Sequence, residues 1–228
     1  SIDYDAIIAK LTQNTATPAH DIIPPTAVGY TNNPPYKYDP AAANAILDAA
    51  GYKRGPDGVR SKGTTRLDYT LDIIAGSDSE RMTAVQVQQY FRMIGVRLAV
   101  KTYAYNTIFT PEGPIYSGSY DFATYGVTLS WDPDMLYYIG CDYFYPKGEN
   151  VYRYCNKQVD AYERGGLSSD DPAARAAAYH PAERLLWQTI PYIPLYDRRR
   201  ISVHSPDLRN FKINPSSTPW YNIWQWDI

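Results

Sequence analysis

Asp132 and Asp134 flank Pro133 and follow Ser130 and Trp131, a tight group of side chains able to do chemistry. Two carboxylates, a hydroxyl and an indole can hydrogen bond to ligand hydroxyls and stack on a ligand's flat faces. Tyr125 and Thr128 add a phenol and a second hydroxyl just upstream. The same residues have a plainer use, with both aspartates as helix caps and Trp131 packed beneath the loop that follows. Asp121 and Asp132 could be imagined as the acid and nucleophile of a glycosidase, a signal that such common residues carry only weakly. Nothing else supports catalysis. His20, His180 and His204 lie near prolines without metal-ligand spacing, and GxSxG and glycine-rich phosphate motifs are absent. The expectation is a non-enzymatic chain that needs no cofactor and no resident metal.

These residues must be held by the segments around them. YDFATYGV, from Tyr120 to Val127, is rich in aromatic and β-branched residues and reads as a strand. Pro133 suits a first helical position, so Asp132 to Tyr138 is expected as a short helix leaving the strand's carboxyl end, the edge where open α/β sheets bind ligands. Cys141 and Cys155 then bracket an aromatic loop. They suit either a cytosolic thiol pair or an extracytoplasmic disulfide, the latter being favoured and contributing roughly 3 kcal/mol for such a loop.

Upstream, Asp3 can cap a first helix, and the proline-rich passage from Thr17 to Pro40 reads as an ordered surface loop. A helix follows from Pro40, with Ala43, Ile46, Leu47 and Ala50 on its inner face and Gly51 as its stop. RGPDGVR is a tight turn. Leu67–Ala75, Ser79–Ile94 and Val96–Tyr103 spell strand, amphipathic helix and strand, a βαβ unit whose strands should be parallel. A short helical piece is expected near Tyr105 to Phe109. Asn156 should cap a helix ending at Gly165 and Gly166, and Asp171 with Pro172 should start another that kinks or breaks at His180, ahead of Pro181. Tyr192–Tyr196 and Ile201–His204 read as strands. The last ten residues, PWYNIWQWDI, hold three tryptophans that must bury against something or stand exposed.

Composition narrows the partners. A formal net charge of -2 removes the main electrostatic reason for a nucleic-acid partner. No apolar run is long enough to span a membrane, and SIDYDAIIAKL is not a signal peptide, which suggests a fragment whose targeting segment lies upstream. Tyrosine is abundant, 23 residues against 5 phenylalanines, which suits amphipathic ligands such as sugars and peptides as well as half-buried core rims.

Together IDYDAIIAKL, the IIPP loop, YDPAAANAILDAAGYK, QVQQYFRMIGVRLAV, YDFATYGVTLSWDPD and IPLYDRRRISV resemble the carboxyl-terminal lobe of the solute-binding proteins that serve peptide, nickel and oligosaccharide ABC transporters. The resemblance runs nearly end to end. It implies an α/β fold, a type II periplasmic-binding-protein-like lobe with a mainly parallel sheet flanked by helices, over residues 1–205. Residues 206–228 would be an aromatic tail returning toward the amino-terminal lobe, absent here. The implied protein captures a small-molecule, oligosaccharide or peptide ligand outside the cytoplasmic membrane, in the periplasm or extracellularly, with anchoring through an absent amino-terminal segment as one option. It delivers that ligand to an ABC transporter permease. The spacing of Cys141 and Cys155 is similar to a disulfide of the dipeptide-binding branch. This chain departs from that branch at two charged anchors: Leu129 and Ser130 occupy the neighbourhood of its amino-binding aspartate, and AGSDSE lacks its arginine. The departures favour a neutral or polyhydroxylated ligand, with Trp131, Ser130, Asp132, Asp134, Tyr125 and Thr128 as the candidate contacts. Arg198, Arg199 and Arg200 read as a solvated strand end, with a transporter-docking surface as the lesser alternative.

Overall fold

The computed structural model describes residues 2–12, 15–128, 132–199, 201–214 and 220–228. α1 (Tyr4–Leu11) starts where the Asp3 carboxylate accepts the Ala6 N–H, and it buries Tyr4, Ile7 and Ile8. β1 (Ala16–Pro18) opens the proline-rich passage, which then runs without regular structure to Asp39. Asp39 caps α2 (Pro40–Ala49) by accepting the Ala42 N–H at 2.8 Å. The expected inner face of α2 is not buried, and Ile46 is 69% exposed. Leu47 does reach the core, and polar contacts hold much of the rest, with Asn44 Oδ1 accepting from Arg54 and Arg60.

β2 (Lys53–Arg54), β3 (Arg60–Lys62) and β4 (Thr65–Arg66) form an antiparallel meander where the sequence suggested only a turn. β5 (Asp68–Ile74), α3 (Asp78–Met93) and β6 (Arg97–Tyr103) are the expected βαβ unit. β5 and β6 are parallel, in register from Asp68↔Arg97 to Ile74↔Tyr103. Ser77 caps α3, and Gly95, at φ +82°, turns the chain back. Leu71, Ile73, Ala84, Val87 and Leu98 close the core between helix and sheet. α4 (Tyr105–Ile108) and α5 (Pro114–Ser117) lead to β7 (Phe122–Thr124), which pairs parallel with the free side of β5 and is shorter than its aromatic text suggested. The sheet order is β6-β5-β7.

α6 (Leu136–Ile139) begins four residues after Asp132, so the helix expected from Asp132 is replaced by an irregular segment and one turn. α7 (Lys157–Leu167), capped by Asn156, runs through both glycines where an end was expected. Gly166 is there for packing: a Cβ on it would lie 2.2 Å from Cζ of Tyr179 on α8 (Pro172–Thr189). α8 is also continuous, with Pro181 inside it. The carbonyl deprived of its donor belongs to Ala177, an exposed residue, so water can satisfy it.

β8 (Tyr196–Arg198) pairs antiparallel with β1, from Ala16↔Arg198 to Pro18↔Tyr196. Residues 192–195 and 201–204, both expected as strands, are irregular. Pro191 and Pro194 remove ladder donors near the first, and Ile201 and Val203 face solvent in the second. In the tail, Arg209 bridges to Asp227, while Trp220 and Trp224 are 59% and 74% exposed.

Candidate functional site

The carboxyl ends of β5, β6 and β7 deliver three loops to one edge of the sheet. From β7 the chain passes through Tyr125, Gly126, Val127 and Thr128, the last three exposed. Ser130 and Trp131 lie outside the described residues. Tyr125 turns its hydroxyl inward to donate to Tyr152 Oη at 3.2 Å, with its ring edge-to-face on Phe109. Burial pushes the Tyr125 phenol well above its ordinary range, and that of Tyr152 up to about 12.

Asp132 is clamped. Arg175 Nη2 on α8 donates to both Asp132 oxygens at 2.7 Å, and the same guanidinium lies over the Tyr179 ring, 5.4 Å from its centroid. Asp132 Oδ1 also accepts the Asp134 N–H, and Asp134 Oδ1 accepts the Leu136 N–H at 3.0 Å, so Asp134 stages the start of α6. Burial raises the Asp134 carboxyl above the usual range, Asp132 adds to that, and the Leu136 N–H opposes it. One residue on, the Met135 N–H donates to Glu163 Oε2 at 2.9 Å. This segment is therefore fixed from α8, from α7 and by its own side chains.

Asp121 is elsewhere. It precedes β7, at the opposite end of the strand, where Oδ2 accepts from the Thr70 N–H and hydroxyl. Asp121 and Asp132 thus lie beyond opposite ends of β7, each with partners of its own. Among the described residues no group of three or more His, Cys, Asp or Glu is arranged to hold a metal ion. Arg81 lies within α3 and pairs weakly with Asp78 at 3.4 Å, outside the loop that precedes the helix. An open hollow of about 380 Å³ adjoins the end of β6, lined in part by Tyr103, Thr107, Thr110 and Glu112.

Cys141 and Cys155 are joined as a disulfide. The loop they close is ordered by buried Asn150, which donates to the carbonyls of Gly140 and Tyr154, and by Tyr145 stacked on Tyr116 at 4.2 Å. Cys141 N–H in turn donates to Asp160 of α7.

Sequence reasoning missed the groups that carry much of this support: Arg175, Glu163 and Glu183. Their register was the available signal. Glu163 falls between Val159 and Gly166 at i+4 and i+7, and Glu183 between Tyr179 and Leu186, so each carboxyl sits on a buried helix stripe.

The sequence profile of the bacterial extracellular solute-binding proteins, family 5 (middle region), matches residues 1–146. The chain belongs to this family of solute-binding proteins. The glutathione-binding protein GsiB of Escherichia coli (strain K12) is 26% identical over 234 residues, which are 95% of this chain and 41% of GsiB. The oligopeptide-binding protein AppA of Bacillus subtilis, solved with a nonapeptide, superposes with a TM-score of 0.83 at 22% identity, covering 99% of this chain and 45% of AppA. A Thermotoga maritima periplasmic oligopeptide-binding protein with bound mannohexaose gives a TM-score of 0.72 at 21% identity, covering 86% of this chain and 39% of that one. The family fold is thus present, a parallel sheet flanked by helices, and the chain spans less than half the length of the family members it matches.

Proposed function

We propose that this chain is the carboxyl-terminal lobe of a non-enzymatic receptor that captures a solute outside the cytoplasmic membrane and presents it to an ABC transporter permease. Residues 1–205 form the lobe, and residues 206–228 return toward an amino-terminal lobe. The observation that carries the reading is the segment after β7, clamped through Asp132 to Arg175 at the ligand-binding edge of a family 5 sheet. Ligand bridging both lobes lowers the energy of the closed state by its differential affinity, and the permease reads the closed state. The disulfide supports an oxidising, periplasmic or extracellular setting.

Trp131, Ser130, Asp132, Asp134, Tyr125 and Thr128 remain the proposed contact set, with different weights. Tyr125 acts as a packing residue whose hydroxyl is engaged, and Asp132 presents whatever capacity its clamp leaves. A neutral, polyhydroxylated solute is preferred over a zwitterionic peptide, because the loop between β5 and α3, Ala75-Gly76-Ser77, offers no arginine before the helix. The bound ligands of the structural relatives, a nonapeptide in one and mannohexaose in another, keep both classes in the screen. Calorimetry on the full-length protein with oligosaccharides, dipeptides and oligopeptides tests this. Saturable oligosaccharide binding that Trp131→Ala weakens at least tenfold is expected; binding of peptides alone overturns the ligand class.

A further inference from the structure

Two glutamates lie where carboxylates are rarely placed. Glu163 on α7 is fully buried and Glu183 on α8 nearly so, and each keeps one oxygen, Oε1 of Glu163 and Oε2 of Glu183, without a hydrogen-bond partner. Glu163 accepts the Met135 N–H and so holds the segment after β7, while the backbone N–H groups of Ile22 and Ile23 in the proline-rich passage lie near Glu183 and favour its charged form. Met135, Ile22 and Ile23 belong to one apolar cluster with Ile139, Ala182 and Leu186. An ionised carboxylate in such surroundings, with an orphan oxygen, is costly, and the charge of Glu163 would add to the cost at Glu183.

We propose that Glu163 and Glu183 are both protonated in the folded chain, and that keeping these two buried acids neutral is what keeps α7 and α8 seated beneath the segment after β7 and the proline-rich passage. The surrounding charges favour the proton. Asp132, Asp134 and Asp160 face Glu163, and Asp21 faces Glu183. Arg175, the nearby cation on α8, is committed to Asp132 and Tyr179, and Lys157 lies at 4.0 Å from Asp160. Asp21 is itself held by Thr31 and Asn33. Burial raises both carboxyls to about 8. That is above the unfolded value, so the folded chain binds more protons between about pH 4.5 and pH 8. The stabilisation is complete below that window and is lost as pH rises through it. Above it both carboxyls ionise in an apolar setting, and that desolvation cost destabilises the packing around Met135 and Ile22–Ile23, even though the N–H groups there favour the charged form. Any effect on ligand rests on the function proposed above; the effect on the fold does not.

Thermal unfolding of the chain from pH 5 to pH 9 tests the pair, with Glu163→Gln and Glu183→Gln as neutral mimics of the protonated acid. The melting temperature of the parent chain should fall across the window, and the double variant should show a visibly flatter fall and uptake of at least one proton fewer from the folded state's titration. Infrared spectra of the parent chain at pH 7 should show a protonated carboxyl band that is absent at pH 9.5, a readout that needs no variant to fold. Identical pH slopes in parent and double variant, or no such band, overturn the proposal. So does stabilisation at pH 8 by a divalent cation that a chelator reverses, because carboxylates bridged by a cation need no proton.

Discussion

Gly165 and Gly166 are neighbours in sequence and opposite in consequence. A methyl at Gly166 would meet three ring atoms of Tyr179 between 2.2 and 2.6 Å, and that ring is almost fully buried. At Gly165 the nearest atom is Ala178 Cβ at 3.7 Å, an ordinary contact. Replacing glycine by alanine in a helix is worth about 0.8–1 kcal/mol, whereas forcing a methylene into a packed interior costs about 1–3 kcal/mol. Gly165→Ala should therefore stabilise the chain slightly, and Gly166→Ala should destabilise it by about 2 kcal/mol in urea unfolding. Equal effects would show that the close approach of α7 to α8 is wrong. Arg175 makes a second residue-scale case. Its pair with Asp132 is partly exposed, and such pairs contribute about 0–1 kcal/mol to stability. Arg175→Met should accordingly leave the fold nearly as stable while releasing Asp132. In the full-length protein it should weaken solute binding about tenfold by calorimetry, and unchanged affinity would remove the segment after β7 from the site.

Between residues and the whole, Arg60 is the joint of three elements. From β3 it donates to the carbonyls of Tyr52 and Ile94 at 2.6 and 2.9 Å, to Asn44 Oδ1 at 2.9 Å and to Asp48 at 2.5 Å, tying α2 and the end of α3 to the meander. The guanidinium is buried while Asp48 is largely exposed, so the cost of losing it comes from the abandoned acceptors more than from the ion pair. Arg60→Met should destabilise by about 2–4 kcal/mol in chemical unfolding, and Asp48→Asn by far less. The disulfide is the other joint, and Cys141→Ser with Cys155→Ser should cost about 3 kcal/mol and leave the sheet intact by circular dichroism. Neither the meander nor the joint at Arg60 was legible in the sequence, because strands of two or three residues carry no period and a buried arginine looks like any surface one. The βαβ unit was legible: Ser77 to Gly95 holds a cap, an apolar stripe and a stop within one helix length. The two glycines misled because a local rule about helix ends gave way to packing at Gly166, and Pro181 does not break α8, since the carbonyl it leaves without a donor belongs to exposed Ala177. The proposed site was named from the sequence as a neighbourhood from Tyr125 to Asp134, whereas the groups around it, Arg175, Glu163 and Glu183, were not, because they come from helices far along the chain.

For the molecule as a whole, the exposed features share a logic. Trp220, Trp224 and Ile228 stand in solvent in the tail, and the hollow beside β6 is open. Buried Asn222 holds the tail's own fold by accepting the Trp226 indole N–H and donating to the Asn210 carbonyl, so the exposed tryptophans belong to an ordered turn. A receptor whose two lobes share the ligand loses about half of its contacts when one is removed. If the whole binds near 1 μM, about -8.2 kcal/mol, then half of that free energy corresponds to about 1 mM. The chain alone should therefore fold with a cooperative melt and show no saturable solute binding below roughly 100 μM in calorimetry, while the full-length protein binds at least a hundredfold more tightly. The tail supplies a second readout on the same pair of samples. Its tryptophan emission should lie to the blue in the full-length protein relative to the chain alone, since an apolar turn ordered by Asn222 has a surface ready to be covered. Submicromolar binding by the chain alone, or emission that does not change, would mean that the second lobe neither completes the grip nor covers the tail.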